Sequence, residues 1–327
     1  MTSRSVLFGL GWFVALSLLG VLLAYTFSVS DLTDFLNIVK SANPVWIIAM
    51  ACTEIATYFC TAGMYGVMLK SLGVKVPLKK LLPLSMEKLA VDQFIPTAGV
   101  GGSTIVVHGL KRVGATRQAG IAMVVTGLAA WYIAGDLAGL FGLITVRNIP
   151  VAFSGGLTVF GLYFLVSVLI IYVTLHGVRT KAFERIKRIL PGKALDTFFA
   201  EMAQTHELGL ATKSRLSKAT LFQLGIILFD AGTLAFACLA LGTPIPYVYA
   251  LAGYALANMA ATISVLPGGI GVFEGGSVAV LSFLGMTPAG ALAAIVLYRG
   301  FSVWLPMIPG ALMARREIHH SYFKKQK

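Results

Sequence analysis

Charge is scarce in this sequence. Asp, Glu, Lys and Arg make up 12% of its 327 residues, and only 13 residues are acidic, where a soluble domain is about 25% charged. With 57% hydrophobic residues and a mean hydropathy of +0.84, this scarcity excludes a soluble enzyme with a large core, because one globule cannot enclose so much apolar surface. The same figures exclude a disordered chain. Cysteine is equally scarce. Cys52, Cys60 and Cys238 all fall inside apolar runs, an odd set that is neither a disulfide framework nor a zinc site. His319–His320 is an isolated tail pair rather than a metal constellation. No metal or cofactor is expected.

What is present is long apolar runs, so the chain reads as an all-α polytopic membrane protein. A spanning helix needs about 20 apolar residues. Six segments meet that length: 6–27, 44–69, 118–146, 155–176, 217–241 and 288–313. The first is longer than the apolar core of a secretory signal and no small-residue cleavage site follows it, so it is expected to remain as a membrane helix. Two further apolar regions are broken. Region 78–113 is interrupted by PTAGVGGS, with Pro96, Gly99, Gly101, Gly102 and Ser103; region 246–285 is interrupted by PGGIGVFEGGS, with Pro267, Gly268, Gly269, Gly271 and Glu274. Proline removes a helix hydrogen bond and glycine permits tight turns. Thr104–Val113 makes only about 15 Å of helix, too short to cross. Two re-entrant hairpins are therefore expected beside six full helices, because broken helices at membrane depth persist only when buried or lining a cavity.

The excess of base over acid, net +13, fits nucleic acid less well than it fits membrane topology. If the six helices alternate, every Lys and Arg except Lys40, Arg147 and Arg299 falls on one side. That side is the cytoplasm, with both termini on it. The first hairpin then enters from the cytoplasm and the second from outside. A shift of 171 residues superposes Pro96 on Pro267 and Val113–Thr116 on Leu284–Thr287. Helix, helix, broken hairpin, helix thus occurs twice in opposite orientation, dividing the chain into a first repeat (1–150) and a second (151–327). Inverted repeats with broken helices near the midplane are a transporter design. The loop 178–216 carries amphipathic stretches. They read equally as helices in the cytoplasmic interface and as a solvated connector.

Charges at membrane depth are costly. Five carboxylates fall there, Glu54, Asp92, Asp136, Asp230 and Glu274, with one cation, Arg299. Arg299 reads either as a site for an anionic headgroup or as the counter-ion of one of these carboxylates. The others are candidates for ion pairs or proton coupling. The half-helix after each glycine break would offer free N–H groups to a phosphate. Glu274, near the start of the second, reads also as a cap. Ser103 is its repeat counterpart. His108 lies five residues further on and titrates near neutral pH when unperturbed. GGIGVFEGG is not a dinucleotide loop, since no strand precedes it.

PGGIGVFE, at Pro267–Glu274, resembles the P-G-G-x-G-x-x-E signature of the transmembrane region of lysylphosphatidylglycerol synthases and their stand-alone relatives. FIPTAGVGGSTIVVHGLKRVGAT, at Phe94–Thr116, resembles that family's earlier proline-glycine motif and basic turn. Where many relatives carry an acidic residue and an arginine in the first motif, this chain has Ser103 and His108. The resemblance extends over nearly the whole chain in length and order. It implies a flippase in a bacterial or archaeal cytoplasmic membrane, moving an anionic or aminoacylated phospholipid, or a related lipid-phosphate, between leaflets. The headgroup would sit between the two glycine-rich breaks, on Arg299, Glu274 and the residues of the two motifs. A stand-alone member without the soluble synthase portion is expected, which implies lipid movement without lipid synthesis. A non-transporting scaffold and an intramembrane headgroup enzyme are the alternatives. The enzyme is disfavoured by the lack of a dense His/Asp/Glu cluster or a nucleophile–base pair.

Overall fold

A computed structural model describes residues 40–94, 106–107, 109–111, 114–176, 212–264, 266–307 and 309. The expected first span 6–27, the PTAGVGGS break, His108 and residues 178–211 of the expected loop 178–216 lie outside the described residues; the last residues of that loop, 213–216, are the first turn of a helix instead. The described residues form the helices α1 Pro44–Ser71, α2 Leu78–Phe94, α3 Arg117–Val146, α4 Pro150–His176, α5 Lys213–Ala240, α6 Tyr247–Ser264, α7 Val272–Phe283 and α8 Pro288–Arg299, with a 3-10 turn at Pro267–Gly269 and a π turn at Gly300–Trp304. Five segments are long and apolar enough to cross a membrane: Pro44–Ser71, Arg117–Val146, Pro150–Tyr172, Lys213–Ala240 and Pro288–Met307. They coincide with five of the six expected spans. Their starts are set by caps. The side chains of Asn43, Thr116, Thr212 and Thr287 accept from the first-turn N–H groups of α1, α3, α5 and α8, which satisfies donors that a helix start otherwise leaves open.

Helices α1 and α5 are antiparallel and tied at both ends. The Asn43 N–H donates to the Ala240 carbonyl at 2.7 Å. At the other end Arg215 donates to Ser71, from Nε to Oγ at 2.8 Å and from Nη2 to the carbonyl at 3.0 Å. The second broken region is a helical hairpin. A Cβ added to Gly253 would lie 3.1 Å from Leu281, and one on Gly276 would lie 3.3 Å from Ala257. Contacts that descend α7 while ascending α6 define antiparallel arms. α7 has 12 residues, about 18 Å of helix, and is too short to span. In the first broken region Val106 and Leu110 share a cluster with Leu81 and Leu84 of α2, and a Cβ on Gly109 would collide with Leu84.

The segments 106–114 and 272–285 end in the same turn. Gly114 and Gly285 have φ of +90° and +102°. The following N–H groups, of Ala115 and Met286, donate back to Leu110 and Leu281, each at 3.0 Å. Thr116 and Thr287 then cap the next helix. This is the left-handed glycine stop of a helix followed at once by a threonine start.

Two of the core clusters divide along the long helices. One gathers Ala62–Leu69 of α1, Leu81, Leu84, Val106, Leu110, the first half of α3 and the first turns of α5. The other gathers Met50, the second half of α3, the second half of α5, and α6, α7 and α8. Each thus encloses one broken region, at opposite ends of α1, α3 and α5. Between Met50 and Ala62 on α1 lie the buried polar residues Glu54, Thr57 and Tyr58, and between Ala219 and Ile227 on α5 lies buried Gln223. The 3-10 turn at Pro267–Gly269 and the π turn both touch α2, so the tip of the second hairpin reaches the helix of the first region. α4 stands outermost on α3 and α6 and leaves Leu157, Leu162, Leu165 and Leu169 exposed, as a face solvated by lipid requires.

Candidate functional site

The turn that breaks the second hairpin is built by glycine. Gly268, Gly269 and Gly271 have φ of +59°, +62° and +84°. A Cβ on Gly269 would lie 2.6 Å from the Ala261 Cβ, so the backbone there approaches α6 more closely than any side chain permits. The turn delivers the start of α7 beside α8. Arg299 Nε donates to Glu274 Oε1 at 2.7 Å, and Nη2 donates to the Gly268 carbonyl at 2.7 Å. The other Glu274 oxygen, Oε2, accepts from the Gly271 N–H at 2.6 Å. The Arg299 guanidinium stands 5.1 Å from the Phe273 ring centroid, within cation–π range. Glu274 and Arg299 are only 6% and 8% exposed.

Of the carboxylates within sequence reach of Arg299, the structure therefore selects Glu274. The pair ties the broken turn to α8, and Glu274 occupies the N-terminal anion position of α7 as a cap. Gly268 and Gly271 serve through a carbonyl and an N–H; Gly269 serves through its close approach. Arg299 retains Nη1, which has no hydrogen-bond partner among the described residues. Immediately after Arg299 the helix widens into the π turn Gly300–Trp304, a local form frequent at functional sites. Ser277, one turn after Glu274, is fully buried and its hydroxyl has no hydrogen-bond partner among the described residues.

An aromatic box flanks the pair. The Phe273 and Tyr298 rings lie 5.6 Å apart, and Tyr254 stands edge-on to both at 6.0 and 6.2 Å. The Tyr254 hydroxyl donates to Asp230 Oδ2 at 2.7 Å. Asp230 in turn lies on α5 at the level of Glu54 on α1, a register set by the Asn43–Ala240 and Thr53–Thr233 bonds. Asp136 is separate. It accepts from Ser167 of α4, beside the Tyr132–Tyr163 pair at 5.1 Å. Asp92 lies in α2, its side chain outside the described residues, as are Pro96, Gly99, Gly101, Gly102, Ser103 and His108.

Sequence reading missed the aromatic box, although Phe273 and Tyr298 directly precede Glu274 and Arg299. It missed the partners Tyr254 and Ser167 as well. An isolated tyrosine or serine in an apolar helix carries no signal until the facing helix is known.

Residues 12–310 match the family described as the lysylphosphatidylglycerol synthase transmembrane region. No curated protein matches the chain.

Proposed function

We propose that this chain, which belongs to the lysylphosphatidylglycerol synthase transmembrane-region family, is a lipid transporter that moves an anionic or aminoacylated phospholipid, or a related lipid-phosphate, between leaflets. The observation that carries the reading is Arg299. It is a buried guanidinium at the tip of a broken hairpin, held by Glu274 and the Gly268 carbonyl, with Nη1 unbonded among the described residues. A phosphate oxygen on Nη1 would gain a charge-assisted hydrogen bond in a region of low dielectric. Glu274 adds an anion that attracts the ammonium of an aminoacylated headgroup.

The whole chain then works as two inverted repeats, 1–150 and 151–327, with six full helices, two re-entrant hairpins and both termini cytoplasmic. The antiparallel α1 and α5, the repeated glycine–threonine turn and the division of the core support that reading. The first motif, through Ser103 and His108, would face the second across the midplane, and alternate opening would expose the headgroup to either side. No covalent step is assigned, so the chain is read as a carrier rather than an enzyme.

A second reading has its own observation. Glu274 and Arg299 already neutralise each other, as they would in a non-transporting scaffold. Translocation in proteoliposomes separates the two. Headgroup-labelled anionic and zwitterionic lipids are followed by quenching from outside, for the native chain, Arg299→Ala and Glu274→Gln. A bond to a charged group contributes about 1.5–3 kcal/mol, so the variants should move the anionic lipid at least about tenfold more slowly. Native protein that moves neither lipid favours the scaffold.

A further inference from the structure

The lipid site leaves one buried polar cluster unused. Glu54 lies ten residues from Pro44 on α1, and Asp230 lies ten residues from Ala240 on α5. Because those helix ends are bonded to each other, the antiparallel pairing brings the two carboxylates to the same level, about 15 Å from the paired ends. Thr53 and Thr233, hydrogen-bonded at 2.8 Å, fix that register. Glu54 is 6% exposed, and its Oε2 has no hydrogen-bond partner among the described residues. Tyr58 is buried beside both carboxylates, and its hydroxyl makes no bond of hydrogen-bonding geometry among the described residues. Asp230 accepts from Tyr254.

Among the described residues, the other titratable groups that the pair senses are Cys60 on α1 and Tyr298 on α8. Arg299 follows Tyr298, but its charge is held by Glu274. α2 and α3 also pack on α1, and neither contributes a described group to the pair. Two carboxylates thus lie at one level of the α1–α5 pair in an apolar core, with no cation paired to them among the described residues. Like charges so placed cannot both ionise without a compensating positive charge. Glu54 Oε2 and the Tyr58 hydroxyl oxygen, neither with a hydrogen-bond partner among the described residues, are the acceptors that such a charge would engage.

We propose that Glu54 and Asp230 form a single proton-binding site, holding one proton between two carboxylates with Tyr58 and Tyr254 as its hydrogen-bonding walls. The proton is taken from water as one carboxylate becomes a carboxylic acid, and returned to water as that O–H bond breaks. Its use in driving lipid movement rests on the transporter reading above; its existence does not.

The test therefore reads protonation rather than transport. Infrared difference spectra of the purified full chain in lipid nanodiscs, between neutral and alkaline buffer, report the C=O stretch of a protonated carboxylic acid. Native protein should show that band lost in alkali. Glu54→Gln with Asp230→Asn should abolish it, and Asp136→Asn should leave it unchanged. A native-like band in the double variant overturns the proposal. If the double variant does not fold, Tyr58→Phe replaces it: a shifted band is expected, and an unshifted one overturns the site. Exchanging sodium for choline should leave the native band intact. A band that appears only without sodium identifies a metal cation as the ligand and overturns the proton assignment.

Discussion

Arg299 and Glu274 show how much a single buried pair decides. With one partner removed, the other becomes an uncompensated charge in an apolar core, at a cost of about 3–5 kcal/mol. With both neutralised, the cost falls, because each charge no longer needs the other. Glu274→Gln alone and Arg299→Met alone should therefore each lower the melting temperature in detergent strongly. The double variant Glu274→Gln/Arg299→Met should recover most of the loss while failing to move lipid. A double variant as unstable as either single one would mean that the bonds to Gly268 and Gly271, rather than charge neutralisation, hold the turn. Sequence alone could name Arg299 as exceptional, because a lone mid-helix cation is conspicuous. It could not choose the partner: Glu274, Asp230 and Asp136 lie on three different helices, and only their packing separates them. Asp136 instead finds Ser167, and Asp230 finds Tyr254. Serine and tyrosine in an apolar helix announce nothing until a carboxylate faces them.

At the scale of elements, the second break was the most legible feature. Proline followed by two glycines stops a helix, because the proline lacks an N–H and the glycines accept φ values that other residues resist. The hairpin α6–α7 turns where PGGIGVFE predicted. What the motif could not reveal is why these glycines differ. Gly269 has both a positive φ of +62° and Ala261 at 2.6 Å from an added Cβ. Gly285 has a φ of +102° with nothing within 4 Å. Alanine at either position meets backbone strain of about 1–2 kcal/mol, but only at Gly269 must α6 also move. Gly269→Ala should thus destabilise the chain more than Gly285→Ala and should displace Gly268 from Arg299. Gly285→Ala should keep lipid movement near the native rate. Thermal melts of the two variants, with translocation rates measured alongside, check both statements. Equal losses would mean that the space around Gly269 is slack.

For the whole molecule, the decisive relation is between helices distant in the chain. α1 and α5 each have 28 residues, and their antiparallel pairing brings the basic end of α1, at Lys70, to the basic start of α5, at Lys213–Lys218. α2, which begins with Lys79 and Lys80, packs on α1. Gln223 of α5 reaches the Gly127 carbonyl of α3 at 3.4 Å, so those two helices begin on the same side, where Arg117 also lies. Basic residues thus collect on one face, and Arg147 ends α3 on the other. Counting charges along the chain anticipates this arrangement because hydrated lysines and arginines are retained on the cytoplasmic side. In a chain whose cysteines are replaced, single cysteines at exposed Lys75 and Lys213 should accordingly react with an impermeant thiol reagent only from the cytoplasmic side of oriented vesicles. Cysteines at exposed Arg147 and Pro244 should react only from the other. Lys75 and Pro244 follow equivalent helices of the two proposed repeats, α1 and α5. Labelling both from one side would contradict their antiparallel packing, and would remove the basis for two hairpins that approach the midplane from opposite faces.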